Sequence, residues 1–203
     1  TTAVGEELPY DKLVIASGNK GKLHEISTLL EPLSIEVLPQ SVFNTPEVAE
    51  PHATFLENAL AKAKHACHHT GLPALADDSG ICVNALKGAP GVFSARYAGE
   101  PKSDQRNNQK LVEALNKESD RSAYYYCVIV LLHHTDDPQP IIAEGLWHGE
   151  IISEARGESG FGYDPYFLVP ALGKTAAELN MDEKNKISHR GQALAQLLKH
   201  LQP

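Results

Sequence analysis

The run Tyr124-Tyr125-Tyr126-Cys127-Val128-Ile129-Val130-Leu131-Leu132 constrains this chain more than any other stretch. A strand with one face in water alternates polar and apolar residues; this run does not alternate, so it belongs inside a sheet, covered on both faces. It predicts a central strand over 123–132. His133 to Pro138 then reads as a turn, and 141–152 as a long returning strand, antiparallel to the first.

The elements around it alternate. Residues 13–16 form a short buried strand that breaks at Ser17-Gly18-Asn19-Lys20-Gly21-Lys22 and passes into a helix with Leu23, Ile26, Leu29, Leu30 and Leu33 on one face. A second strand follows at 35–38. Thr54 and Glu57 make a capping box for a helix running through Asn58 to Ala66, which Gly71-Leu72-Pro73 closes. Residues 81–83 and 166–170 read as strands, and 87–91 as a turn. Ser103 caps a helix with Leu111, Val112 and Leu115 inward. Thr175 and Glu178 repeat the capping box, and Ser188 caps a C-terminal helix with Ala193, Leu194, Leu197, Leu198 and Leu201 inward. This order predicts an α/β fold with one mixed, twisted sheet flanked by helices, in a single domain over 1–203, with 1–12 as a loose N-terminal extension.

Charge narrows the function. With 18 Lys and Arg against 26 Asp and Glu, the net charge is -8, which argues against gripping a nucleic-acid backbone. Cys67, Cys82 and Cys127 sit in apolar contexts without disulfide or zinc spacing and read as buried free thiols. The histidine pairs 68/69 and 133/134 lack metal-ligand spacing and read as surface residues. No apolar run approaches the ~20 residues of a membrane span, and the start lacks a signal-peptide core, so the reading is cytoplasmic.

Three loops carry chemistry. Ser17 to Lys22 lies between strand and helix, where backbone N–H groups and a helix N-terminus can face an anion; neither the Walker spacing nor the dinucleotide fingerprint fits it. Ala74-Leu75-Ala76-Asp77-Asp78-Ser79-Gly80 runs small apolar residues into two carboxylates, which reads either as a turn or as a cation site. On an extended backbone the two side chains point to opposite faces and so do different work. Glu158 to Pro165 places Phe161 between Gly160 and Gly162, ahead of Asp164: a stacking ring, a permissive backbone and an acceptor. Glu50 precedes the Thr54 helix, and Lys184, His189 and Arg190 gather at the start of the last one. Together these supply what triphosphate cleavage needs: cations for phosphates, carboxylates for Mg²⁺ and for a water, and a ring for a base.

The blocks "SGNKGK", "TFLENALAKAKHA", "ALADDSGICVNALKGAPGVFSARYAG", "GFGYDPYF", "GKTAAEL" and "SHRGQAL" resemble the inosine triphosphate pyrophosphatase family, in its bacterial form. The resemblance implies two lobes around a nucleotide-binding cleft, a homodimer, Mg²⁺ dependence, and hydrolysis of ITP, dITP and XTP between the α- and β-phosphates to the monophosphate and pyrophosphate. It assigns Asp78 as general base and metal ligand, Glu50 as a second metal ligand, and Ser79 as a substrate contact. Ser17, Gly18, Asn19, Lys20, Gly21, Lys22 and Lys62 would bind the triphosphate. Phe161, Gly162, Tyr163 and Asp164 would hold the purine, with Lys184, His189 and Arg190 completing its pocket. The chain departs from the family at Pro51-His52, where Thr-Gly is common after the glutamate, and at Ser17, where Thr is common. Two alternatives remain open at this point: a nucleotide-binding regulator without catalysis, and a pyrophosphatase of different base specificity.

Overall fold

A computed structural model describes residues 11–17, 19–46 and 49–201. Among these residues seven strands form one sheet: β1 (Lys12–Ile15), β2 (Glu36–Pro39), β3 (Ala74–Val83), β4 (Ser122–Leu132), β5 (Ile141–Ile151), β6 (Phe167–Val169) and β7 (Lys174–Thr175). Their order is β2-β1-β3-β4-β5-β6-β7. The strand over the apolar run, β4, thus lies in the middle, and Cys127 through Leu132 are all buried. Strand β1 is parallel to β2 and β3, whereas β5, β6 and β7 pair antiparallel, so the sheet is mixed.

Among the described residues five helices accompany it: α1 (Lys20–Leu30), α2 (Phe55–Thr70), α3 (Asp104–Ala114), α4 (Met181–Ile187) and α5 (His189–Leu201). Caps set their ends. The Asn19, Thr54 and Ser103 side chains each accept a backbone N–H one turn into the helix that follows. Ser188 Oγ does the same for Gly191 N–H at 3.0 Å, so α5 begins at His189. Gly71 closes α2 at φ 69°, a left-handed position that suits glycine.

Several expectations change. The Asp77-Asp78-Ser79-Gly80 stretch is neither turn nor loop; it lies inside the continuous strand β3, which runs on past its pairing with β1 at Ala74 and Leu75 and has β4 as its other neighbour in the sheet. Helix α4 went unread because none of its residues is buried, leaving no apolar period to see. The Thr54 box is modified: Glu57 takes the Thr54 hydroxyl at 2.7 Å. At Thr175 the box is complete but opens only a single 3₁₀ turn. Leu33 falls beyond α1, in a 3₁₀ turn over Glu31–Leu33. His133 is more than a surface residue, since its ring meets Asp137 at 2.8 Å; His68 and His69 are exposed as expected. All three cysteines are free and buried.

The chain divides into two compact units, one of residues 1–78, 128–144 and 193–203, the other of 79–127 and 145–192. Strands β3, β4 and β5 each supply residues to both. The second unit has its own core, in which Ile81, Leu111, Leu115, Ile151 and Phe167 are fully or almost fully buried. Tyr125, Trp147 and Phe167 form an aromatic nest there, with ring centroids 4.5 to 5.9 Å apart.

Candidate active site

Each unit gathers one set of the candidate residues. In the first unit, β3 delivers Asp77 and Asp78 with both side chains buried. Being adjacent on a strand, they take different partners. Asp77 receives the Lys22 ammonium on both oxygens, at 3.2 and 3.0 Å. Asp78 is hydrogen-bonded by the buried Asn58. Lys62, on α2, reaches Glu50 Oε1 at 2.8 Å. Glu50 sits on an exposed loop, yet its carboxylate is pinned by this ion pair.

The electrostatics follow. Burial lifts the Asp78 carboxyl from its ordinary 3.8 to about 6; Lys62 and the Asn58 hydrogen bond pull it down, while the Glu50 and Asp77 charges push it up. Burial works against the Lys62 charge, but Asp77, Glu50 and Asp78 outweigh it and raise its pKa. Three carboxylates and two ammonium groups therefore share one partly buried region. Among the described residues, no group of three or more His, Cys, Asp or Glu side chains is placed to hold a metal ion. Glu50 and Asp78 offer the oxygen donors a hard cation takes.

The glycine-rich loop is self-organised. Asn19 N–H donates to Ser17 Oγ at 3.1 Å, and Lys22 N–H donates to Asn19 Oδ1 at 3.1 Å. Gly21 lies in the first turn of α1, where an added Cβ would stand 3.2 Å from Asn19 Oδ1. Lys20 is exposed, and Gly18 lies outside the described residues.

The second unit holds a cavity of about 180 Å³, lined by Ser79, Phe161, Gly162, Tyr163, Asp164, Lys184, His189 and Arg190 together with Ile81, Ser94, Asp104 and Tyr125. All eight sequence-predicted residues of this unit thus line one pocket. Asp164 is buried and acts as a hub. Tyr125 O–H donates to its Oδ1 at 2.9 Å, and Phe161 N–H and Lys184 Nζ donate to its Oδ2 at 3.1 and 2.7 Å. Asp164 is thus an acceptor, as the sequence suggests, with both oxygens engaged by the protein's own donors. Tyr163 O–H donates to Ser94 O at 2.6 Å. His189 stacks on Tyr125 with centroids 4.7 Å apart and planes 12° from parallel. Phe161 is 62% exposed, with Lys184 Nζ 4.9 Å from its ring centroid.

Sequence reading missed Asn58, Tyr125, Asp104 and the pairing of Asp77 with Lys22. Asn58 carried a signal: an amide placed among the small apolar residues that α2 buries has to find a hydrogen-bond partner.

The comparisons agree with the motifs. The Ham1 family model matches residues 13–200. A dITP/XTP pyrophosphatase of Nitrosomonas europaea is 69% identical over 191 residues, 94% of each chain. That of Chromobacterium violaceum is 62% identical over 95% of this chain and 98% of its own. A HAM1 protein structure from Coxiella burnetii superposes with TM-score 0.93 at 53% identity, covering 95% of this chain and 98% of that one. A Mycobacterium abscessus structure described as a nucleoside-triphosphatase and dITP/XTP pyrophosphatase gives 0.78 at 39% identity, covering 94% and 100%. On these matches, which span almost its whole length, the chain belongs to the Ham1 family.

Proposed function

We propose that this protein hydrolyses non-standard purine nucleoside triphosphates, ITP, dITP and XTP, between the α- and β-phosphates, releasing the monophosphate and pyrophosphate. The observation that carries this reading is the 69% identity over 94% of the chain to a dITP/XTP pyrophosphatase. The local chemistry supports it. Lys22 and Lys62 supply cationic groups for phosphate oxygens, each held ready by a carboxylate. Asp78, with its carboxyl lifted to about 6, is matched to accept a proton from water near neutral pH. The departure at Pro51 leaves Glu50 in contact with Lys62, so the glutamate keeps a place beside the lysine.

Mg²⁺ fits this region by donor chemistry, since Glu50 and Asp78 bring hard oxygens and Asp77 adds to the surplus of negative charge. Glu50 and Asp78 would hold the ion, which when bound would neutralise charge on the phosphates. The base would enter the pocket of the second unit, against Phe161. Arg190 and His189 carry donors suited to the 6-carbonyl of hypoxanthine and xanthine. Adenine presents an amino group there, and an unpaired buried donor costs on the order of 1–3 kcal/mol, tenfold or more in rate. The protein would act as a cytoplasmic homodimer; light scattering in solution checks the dimer.

The test is a panel of triphosphates assayed for pyrophosphate, with and without Mg²⁺. ITP, dITP and XTP should yield pyrophosphate only with the cation present, and dATP should be a poor substrate. Stepwise release of orthophosphate, or equal cleavage of every triphosphate, would sink the reading.

A further inference from the structure

The exposed Phe161 ring stands on a backbone that is clamped from several directions, all within the second unit. Gly162 N–H donates to Asp104 Oδ2 at 2.9 Å, and Asn108 Nδ2 donates to Gly162 O at 3.0 Å. Phe161 N–H is taken by Asp164, and Phe161 O accepts Asp164 N–H at 3.2 Å. Asp104 and Asn108 lie one turn apart on α3, so a single helical face grips both polar atoms of one glycine. Gly162 has φ 60°, a conformation that side-chain-bearing residues rarely hold, and its hydrogen bonds keep it there.

Asn108 adds a second observation. It is buried, and its Oδ1 has no hydrogen-bond partner among the described residues. Turning the amide over would satisfy nothing and would set Oδ1 against Gly162 O. The Nδ2 hydrogen bond to Gly162 O is therefore what fixes the orientation of this buried amide. A platform fixed before the ligand arrives loses less freedom on binding.

We propose that Asp104 and Asn108 are positioning residues, which hold the Phe161 ring ready to stack on the purine base of the substrate. This rests on the purine reading above. Neither side chain needs to touch the base; both act through the Gly162 peptide.

The experiment is a double-mutant cycle on ITP hydrolysis with Asp104→Ala, Asn108→Ala and Phe161→Ala. Asp104→Ala removes a charged acceptor and should raise KM roughly tenfold, with a smaller change in kcat. Asp104→Asn keeps an acceptor oxygen and should recover most of the loss. In the Phe161→Ala background, Asp104→Ala and Asn108→Ala should add almost nothing. Wild-type KM in Asp104→Ala, an Asn variant no better than Ala, or losses that add fully to those of Phe161→Ala would each overturn the inference. Should the Asp104 variants fail to fold, Asn108→Ala runs the same cycle through the other hydrogen bond. If the wild-type protein released no pyrophosphate from ITP, the functional reading itself would fail and take this inference with it. With an active wild type, a negative cycle overturns the positioning role alone.

Discussion

Replacing Asp78 by Asn should make the protein more stable at alkaline pH and far less active. In the unfolded chain this carboxyl titrates at its ordinary 3.8; in the fold it is held to about 6, chiefly by burial. Below about pH 4 both states are protonated there, and the residue has no effect on stability. As pH rises towards 6, the unfolded chain releases the proton while the fold retains it, so stability falls. Above 6 the whole penalty is present, about 3 kcal/mol at about 1.4 kcal/mol per pH unit. Asparagine has the shape of the neutral acid and never ionises. The variant should therefore gain about 3 kcal/mol at pH 8, or roughly 6–12 °C in Tm for a chain of this size, and under 1 kcal/mol near pH 4. Thermal denaturation at the two pH values, in a chelator so that no divalent cation favours the ionised form, reads the difference. Pyrophosphate release should fall on the order of 10²–10⁴-fold while nucleotide still binds. A Tm gain that is absent at pH 8, or equal at both pH values, would refute the electrostatic argument; undiminished turnover would remove Asp78 from its role.

Other perturbations follow from the same structure. Arg190→Ala should reduce kcat/KM for ITP at least tenfold and affect dATP much less; steady-state kinetics on both substrates decide it, and equal losses count against base readout. Gly160→Ala forces φ 76° on a side-chain-bearing residue and drives the new Cβ into Asp164 Oδ2, so Tm should drop by the equivalent of about 1–3 kcal/mol. Asp137 accepts His133 N–H, Gln139 N–H and the His133 ring, and the first of these above all pulls its carboxyl down to about 2. A depressed carboxyl stabilises the fold above its unfolded value and loses that effect as pH falls through its folded one. Asp137→Ala should thus be destabilised by about 1–2 kcal/mol at pH 7, with the gap to wild type closing between pH 4 and 2 in denaturant titrations.

Local signals were read well where the chemistry is local. The central place of β4 follows from the uninterrupted apolar run, since no half-exposed strand tolerates it. Thr54, Ser103 and Ser188 cap helices because a hydroxyl directly before an amphipathic stretch can satisfy an orphan N–H in its first turn. That Phe161, Gly162, Tyr163, Asp164, Lys184, His189 and Arg190 line one cavity follows motifs in which glycine, aromatic and charged residues cluster, which is what singled them out in the sequence. Asp-Ser-Gly misled because turn chemistry is only a local preference, whereas the strand order, which places β3 between β1 and β4, is set by distant parts of the chain.

What the sequence determined by itself, then, is which residue types are present and which short segments can bend, cap or bury them. What it left to tertiary structure is how the charges are matched. Lys22 meets Asp77 across 55 residues, and Asp104 meets Gly162 across 58. Coulomb and hydrogen-bond energies depend on separation in space and on burial, neither of which chain spacing reports at that range. The folded chain divides the acidic pair: Asp77 goes to a lysine, and Asp78 to a buried asparagine and a carboxyl near 6.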